Sequence, residues 1–69
     1  MNMTLKEKGE VLATITGKEV AYNDKKVGEC LEALIANHEL NTFPPHIDRD
    51  QMLEDVIRAF ARVNNYEVE

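Results

Sequence analysis

Residues 11–22, VLATITGKEVAY, constrain the fold more than any other stretch of this chain. Apolar and polar side chains alternate along most of it, as they do in a strand with one buried face. Gly17 and Lys18 interrupt this alternation, and a two-residue loop that begins with glycine is typical of a type II′ hairpin turn. This turn predicts the following cross-strand pairs: Thr16 with Glu19, Ile15 with Val20, and Ala13 with Tyr22.

The two faces of the predicted hairpin differ in polarity. The predicted outer face is polar except for Leu12 and the small Ala21. A two-stranded hairpin is marginally stable by itself, so other elements must cover its apolar face. That predicted inner face consists of Val11, Ala13, Ile15, Val20 and Tyr22.

Two segments with helical periodicity follow the hairpin, and the two predicted helices would cover its apolar face. Asp24 is the predicted N-cap of a helix that extends to about Leu40, and Asp48 is the predicted N-cap of a second helix. Gln51 follows Asp48 at the spacing of a capping box. The segment NTFPPH separates the helices, since its prolines cannot continue the first one. The predicted apolar faces are Val27, Cys30, Leu31, Leu34, Ile35 and His38 in the first helix, and Met52, Leu53, Val56, Ile57 and Phe60 in the second.

These patterns predict an α+β fold in which an antiparallel hairpin packs on two α-helices, in the order β-β-α-α, as a single small domain over residues 1–69. Residues 1–8 are either a flexible arm or a strand, because Met3 and Leu5 alternate with polar neighbours before a turn at Gly9. The tail YEVE, residues 66–69, also alternates. It predicts an additional terminal strand beside the hairpin.

Charge and cysteine content exclude several classes of function. The net charge is −5; residues 1–26 carry five lysines and four acids, and residues 27–69 carry three arginines and nine acids. An acidic domain is repelled by phosphate backbones, which argues against nucleic acid and favours a basic protein partner. No segment has the length of apolar sequence that a membrane span or a secretory signal needs. With a single cysteine, Cys30, and hence no internal disulfide, the chain is predicted to be cytoplasmic.

The sequence predicts no catalytic, cofactor or metal site. The chain contains no serine, and Cys30 is predicted to lie on a buried helix face where it cannot reach a substrate. Cys30 and His38 are two helical turns apart, too far for one ion to bridge, and His46 lies beyond the two prolines. The three glycines form no phosphate-binding loop. We therefore expect neither enzyme activity nor a bound cofactor or metal ion.

The sequence instead predicts a small acidic protein-interaction module, such as a regulator, an inhibitor or an accessory subunit. It is expected to bind a basic protein partner through an acidic helical surface and an open strand edge. Because the predicted core is small and VLATIT would leave an open strand edge, the chain is also predicted to form a homodimer. Phe43, beside two prolines, is either folded over the helix ends or offered to the partner. The predicted partner-binding residues are Glu29, Glu32, Phe43, Asp48, Asp50, Glu54 and Asp55.

A second hypothesis comes from the order of elements in residues 19–64: strand, helix, loop, helix. The segment IDRDQMLEDVIRAF places a polar cap before a run of alternating apolar and charged residues. In these features the chain resembles the ribbon-helix-helix family, which implies a dimeric DNA-binding regulator whose paired strands enter the major groove. The chain departs from that pattern in its longer NTFPPHI loop, its preceding strand, and a strand EVAYN that has no Arg or Lys to contact bases.

Overall fold

The chain folds into one antiparallel four-stranded sheet and two helices. The computed structural model describes residues Met1–Glu69. The strand order in the sheet is β3-β2-β1-β4, and every pairing is antiparallel. The predicted α+β class, with a hairpin packed on two helices, is confirmed, and the N-terminal residues form a strand. In chain order the elements are β1 (Asn2–Glu7), β2 (Glu10–Thr16), β3 (Glu19–Tyr22), α1 (Lys25–Leu40), α2 (Arg49–Val63) and β4 (Glu67–Val68).

Two tight turns join the first three strands. In the first, Lys8 and Gly9 have φ angles of 52° and 83°, and positive φ at both positions is the pattern of a type I′ turn. In the second, Gly17 has a φ of 63° and Lys18 has a negative one, as in the predicted type II′ turn. The predicted pairing of Thr16 with Glu19 and the rest of the hairpin register are confirmed.

Aspartate side chains begin both helices. Asp24 accepts a hydrogen bond from the N–H of Val27 at 3.1 Å, and Asp48 accepts one from the N–H of Gln51 at 3.0 Å. Both predicted N-caps are confirmed. The second half of the predicted capping box is not formed, because the side-chain amide of Gln51 donates to Asp55 instead.

One apolar cluster connects the inner face of the sheet to both helices. Its largest fully buried side chains are Leu5 and Ile15 from the sheet and Leu31, Leu53 and Ile57 from the helices. The opposite face of the sheet is not covered by a helix, and its central residues are threonines. The remaining core residues are Met3, Leu12, Ala13, Val27, Ile35 and Ala61.

A bulge in β2 changes which of its residues face the core. Leu5 pairs with Ala13 and Lys6 pairs with Val11, so that Leu12 is the extra residue between them. Leu12 is only 8% exposed, whereas Val11 is 37% exposed. The predicted alternation, with Val11 inside and Leu12 outside, is therefore wrong at these two positions.

Three other residues of the predicted apolar faces lie at the surface, and one of them, Val56 in α2, is 40% exposed. Tyr22 is 43% exposed, and its ring lies against α1 at Gly28, where an added Cβ would overlap it. Cys30 is exposed and not buried as predicted. The buried face of α1 follows the four-residue steps from Val27 to Leu31 and Ile35, and Cys30 lies to one side of it.

The two edges of the sheet are β3 and β4. Because β2 lies between β1 and β3, the predicted open edge at VLATIT is wrong, and that argument for a homodimer does not apply. The tail forms β4, but it pairs with β1 and not with the hairpin. There, Thr4 and Glu69 exchange two backbone hydrogen bonds of 2.9 Å.

Candidate protein-binding surfaces

The acidic residues predicted to bind a partner do not lie on one surface. Glu32 lines a groove between α1 and β3, whereas Asp55 lines a cleft between α2 and β4, at the other edge of the sheet. Asp50 lines a third, smaller cleft beside Met1 and Gly17. These acids therefore surround the helix layer and form no single anionic face.

Most of the predicted acids also have a partner on their own helix. Glu54 accepts from Arg58 at 2.9 Å, and Glu29 is 3.9 Å from Lys25. Asp48 and Asp55 accept the hydrogen bonds described above. Glu32 and Asp50 form neither a hydrogen bond nor an ion pair, and Asp50 lies in the first turn of α2, where the helix dipole favours negative charge.

Phe43 is folded over the ends of the two helices. Its ring centre is 5.0 Å from that of His38, and the guanidinium carbon of Arg49 lies 5.5 Å from the Phe43 ring centre. His38 is itself buried, at the end of the apolar face of α1. Of the two alternatives considered for Phe43, the structure supports packing. Part of the Phe43 ring still lines a narrow cleft of about 180 Å³, and Leu34, Met52 and Val56 line it as well.

The outer edge of β3 presents unpaired backbone groups. In a hairpin with a two-residue loop, the closing pair is hydrogen-bonded and the bonds then alternate along the strand. Glu19 and Ala21 therefore bond to β2, and the next odd-numbered residue, Asn23, continues the pattern with an N–H bond of 2.8 Å to the carbonyl of Leu12. It follows that the N–H and carbonyl groups of Val20 and Tyr22 point away from the sheet, toward solvent.

A groove runs along this edge, between β3 and α1. It has a volume of about 500 Å³, and its apolar wall consists of Val20, Ile35 and Ala36. Two carboxylates, those of Glu19 and Glu32, also line it, and neither has an ion-pair partner. A groove between an edge strand and a helix is a common site for binding an extended peptide.

The only cation at this groove is neutralised by a neighbouring acid. Lys18 lines the groove, and its ammonium lies 2.5 Å from a carboxylate oxygen of Glu39. The hydrogen bond from Lys18 and its positive charge lower the pKa of Glu39 below the ordinary value of 4.5. The charge left over at the groove is therefore negative.

The β4 edge differs in charge from the β3 edge, because two arginines lie beside it. A cleft of about 670 Å³ lies beside it, lined by Arg58, Arg62 and Tyr66 among others. Arg62 has no acidic partner within ion-pair distance. Burial raises the pKa of Tyr66, whose ring packs edge-on against Phe60 with 6.0 Å between ring centres. This edge is short, because β4 contains two residues.

Sequence reasoning missed both of these edge sites. The groove walls come from β3 and α1, which the chain brings together only through the turn at Asn23 and Asp24. One signal was present: β3 is the last strand before the helices, so it has a single neighbour in the sheet. For the β4 cleft, the signal was the four-residue spacing of Arg58 and Arg62, which places both on one side of α2.

The histidines and the cysteine do not come together. No group of three or more His, Cys, Asp or Glu side chains has an arrangement that could hold a metal ion. Neither helix is long and apolar enough to cross a membrane.

No protein-family model, curated protein or solved structure matches this chain.

Proposed function

We propose that this chain is a small acidic protein-interaction module that binds its partner by accepting an extended segment as a fifth strand beside β3. One observation carries the proposal: the outward N–H and carbonyl groups of Val20 and Tyr22 lie along an apolar groove formed with α1. Backbone hydrogen bonds would supply affinity, and the groove would contact alternate side chains of the partner.

The proposed role is binding without catalysis, as a regulator, inhibitor or accessory subunit that covers part of another protein. The β3 edge suits this role better than the β4 edge, because β3 has four residues and β4 has two. Of the acids first considered, Glu32 is the one at this site. A cytoplasmic location fits the proposal, since Cys30 is a free, exposed thiol that a reducing compartment keeps unoxidised.

Two substitutions at Val20 test strand addition. Val20→Pro removes an outward N–H while leaving the inward bonds of Glu19 and Ala21 intact, and proline is tolerated on edge strands in this orientation. Val20→Ala is the matched control, because it trims the side chain but keeps the N–H. The tagged chain and both variants would be used to capture proteins from a lysate of the source organism, with and without nuclease.

We expect the same proteins to bind the unmodified chain and, in smaller amounts because the apolar wall of the groove is trimmed, the Val20→Ala variant, with or without nuclease, and to be lost with Val20→Pro. Circular dichroism of each variant checks that the fold is retained. Partners that bind the Val20→Pro variant equally well would contradict strand addition at β3. Partners that disappear after nuclease treatment would favour the DNA-binding hypothesis.

The DNA-binding hypothesis has less support. A ribbon-helix-helix arrangement would need the β3 strands of two chains to pair and enter the major groove. The side chains that β3 presents on the uncovered face of the sheet are those of Glu19 and Ala21. Neither would attract a phosphate or donate to a base edge.

A further inference from the structure

We infer that the segment bound at β3 alternates apolar and basic side chains. This inference rests on the proposed function, and it names the chemical class of the partner. Apolar side chains of the segment would face α1, and basic side chains would face the uncovered side of the sheet and the rim of the groove.

The apolar positions of the bound segment follow from the geometry of a strand. Residues of an added strand that lie directly opposite Val20 and Tyr22 share their face of the sheet, which is the face toward α1. On that face the segment would meet Val20, Ile35 and Ala36. The exposed ring of Tyr22, held against Gly28, extends the apolar surface along the strand. A polar side chain set among these three apolar residues would lose its hydration without gaining a hydrogen-bond partner, whereas a long basic side chain at the rim of the groove would meet Glu32.

The basic positions of the bound segment follow from the charges beside the groove. Glu19 lies on the uncovered face of the sheet and Glu32 lies on the α1 wall, so a segment in the groove has a carboxylate on each side. Neither acid is paired within the chain, and the one neighbouring cation, Lys18, is held by Glu39. Basic side chains on the segment would complement this charge, whereas acidic ones would be repelled.

The same charges argue against a second copy of the chain as the occupant. Tyr22 contacts Gly28 and Lys18 contacts Glu39, so the middle of β3 lies beside the middle of α1, near Glu32. In a two-fold pairing of β3 strands, the two α1 helices would face each other at their midpoints. Glu32 of each copy would then lie near the symmetry axis, and like charges in that position are destabilising.

The test is a selection from a displayed library of short random peptides, using the full chain as bait. Peptides that also bind the Val20→Pro variant would be removed, and the remainder would be sequenced. We expect the remaining peptides to alternate Val, Ile or Leu with Lys or Arg. Synthetic versions would then be measured against the unmodified chain, Glu19→Gln, Glu32→Gln and a control, Glu29→Gln, on the exposed side of α1.

Each glutamine substitution in the groove should weaken binding by about two- to fivefold, as expected for an exposed ion pair. Glu29→Gln should leave affinity unchanged, and added salt should weaken binding to the unmodified chain more than to Glu19→Gln or Glu32→Gln.

The possible failures are distinguishable. If no selected peptide is lost with Val20→Pro, strand addition itself is wrong, and the inference fails with it. If the edge-dependent peptides lack basic residues, or bind the Glu19→Gln and Glu32→Gln variants unchanged, the inference is wrong while the proposed function stands. If sedimentation of the chain alone shows a dimer that Val20→Pro dissociates, a second copy occupies the edge and the inference is overturned.

Discussion

Tyr22 packs directly against the backbone of α1 at Gly28. An added Cβ at Gly28 would overlap the Cβ and Cγ atoms of Tyr22. Rotation about the Cα–Cβ bond of Tyr22 would move Cγ but not Cβ, which lies 2.7 Å from the added atom, so no rotamer of Tyr22 removes the overlap. Glycine is therefore required here for close approach between a strand and a helix, although its φ is ordinary for a helix.

We expect Gly28→Ala to lower the free energy of unfolding by about 1–3 kcal/mol, because α1 must move away from β3 to admit the methyl group. In a Tyr22→Gly background, which removes the Tyr22 Cβ as well as the ring, the same substitution should stabilise the chain by up to about 1 kcal/mol, since alanine favours the helix. Urea unfolding of the four chains measures both effects. The same sign in both backgrounds would show that the Tyr22 side chain is not the obstacle.

The ion pair of Glu39 with Lys18 should make stability depend on pH. The pKa of Glu39 is lowered in the folded chain from 4.5, so its contribution to stability is present above pH 4.5 and lost as the pH falls through the folded pKa. Glu39→Gln should therefore lower the thermal midpoint at neutral pH and have no effect in strong acid. In a Lys18→Met background this pH dependence should shrink to the smaller effects of Arg49 and His38, and an undiminished dependence would show that Lys18 is not the main partner of Glu39.

At the scale of elements, the β2 bulge determines which residues the sheet contributes to the core. The N-caps Asp24 and Asp48 and the turn at Gly17 were predicted correctly, because each depends only on residues a few positions away in the sequence. The bulge depends on the register between β2 and β1, and the local sequence of β2 does not indicate that register. The exposure of Leu12 and Val11 was consequently mispredicted.

Alanine substitutions at these two positions test the bulge. Leu12→Ala should cost about 2–5 kcal/mol, as expected for a buried leucine, whereas Val11→Ala should cost less than about 1 kcal/mol. Denaturant unfolding of the two variants gives the comparison directly. A regular strand without the bulge would give the reverse order.

The same limit applies to the proposed binding site. The sequence predicted an interaction surface from its acids and named Glu32 among them. It did not distinguish Glu32 from Asp48, which caps α2, or from Asp55, which accepts a hydrogen bond from Gln51 of the same helix. That separation depends on which side chains have a partner in the fold and on which strand has a free edge.

At the scale of the whole molecule, β3 is the longer of the two open edges of the sheet. The backbone N–H groups of Val20 and Tyr22 should exchange with solvent faster than those of Glu19 and Ala21, which bond to β2. Hydrogen exchange followed by NMR measures each amide separately. Slow exchange at Val20 and Tyr22 that depends on protein concentration would instead support the homodimer predicted from the sequence.

The pairing of β1 with β4 joins segments from opposite ends of the chain. Strands β1, β2 and β3 are consecutive and connected by tight turns, so their contacts form without closing a long loop. Docking β4 before the intervening elements have folded would close a loop of nearly the whole chain, and the entropy cost of that closure would precede any gain from the contact. The meander and the start of α1 are thus expected to form the folding nucleus, with β4 completing the sheet after the rate-limiting barrier.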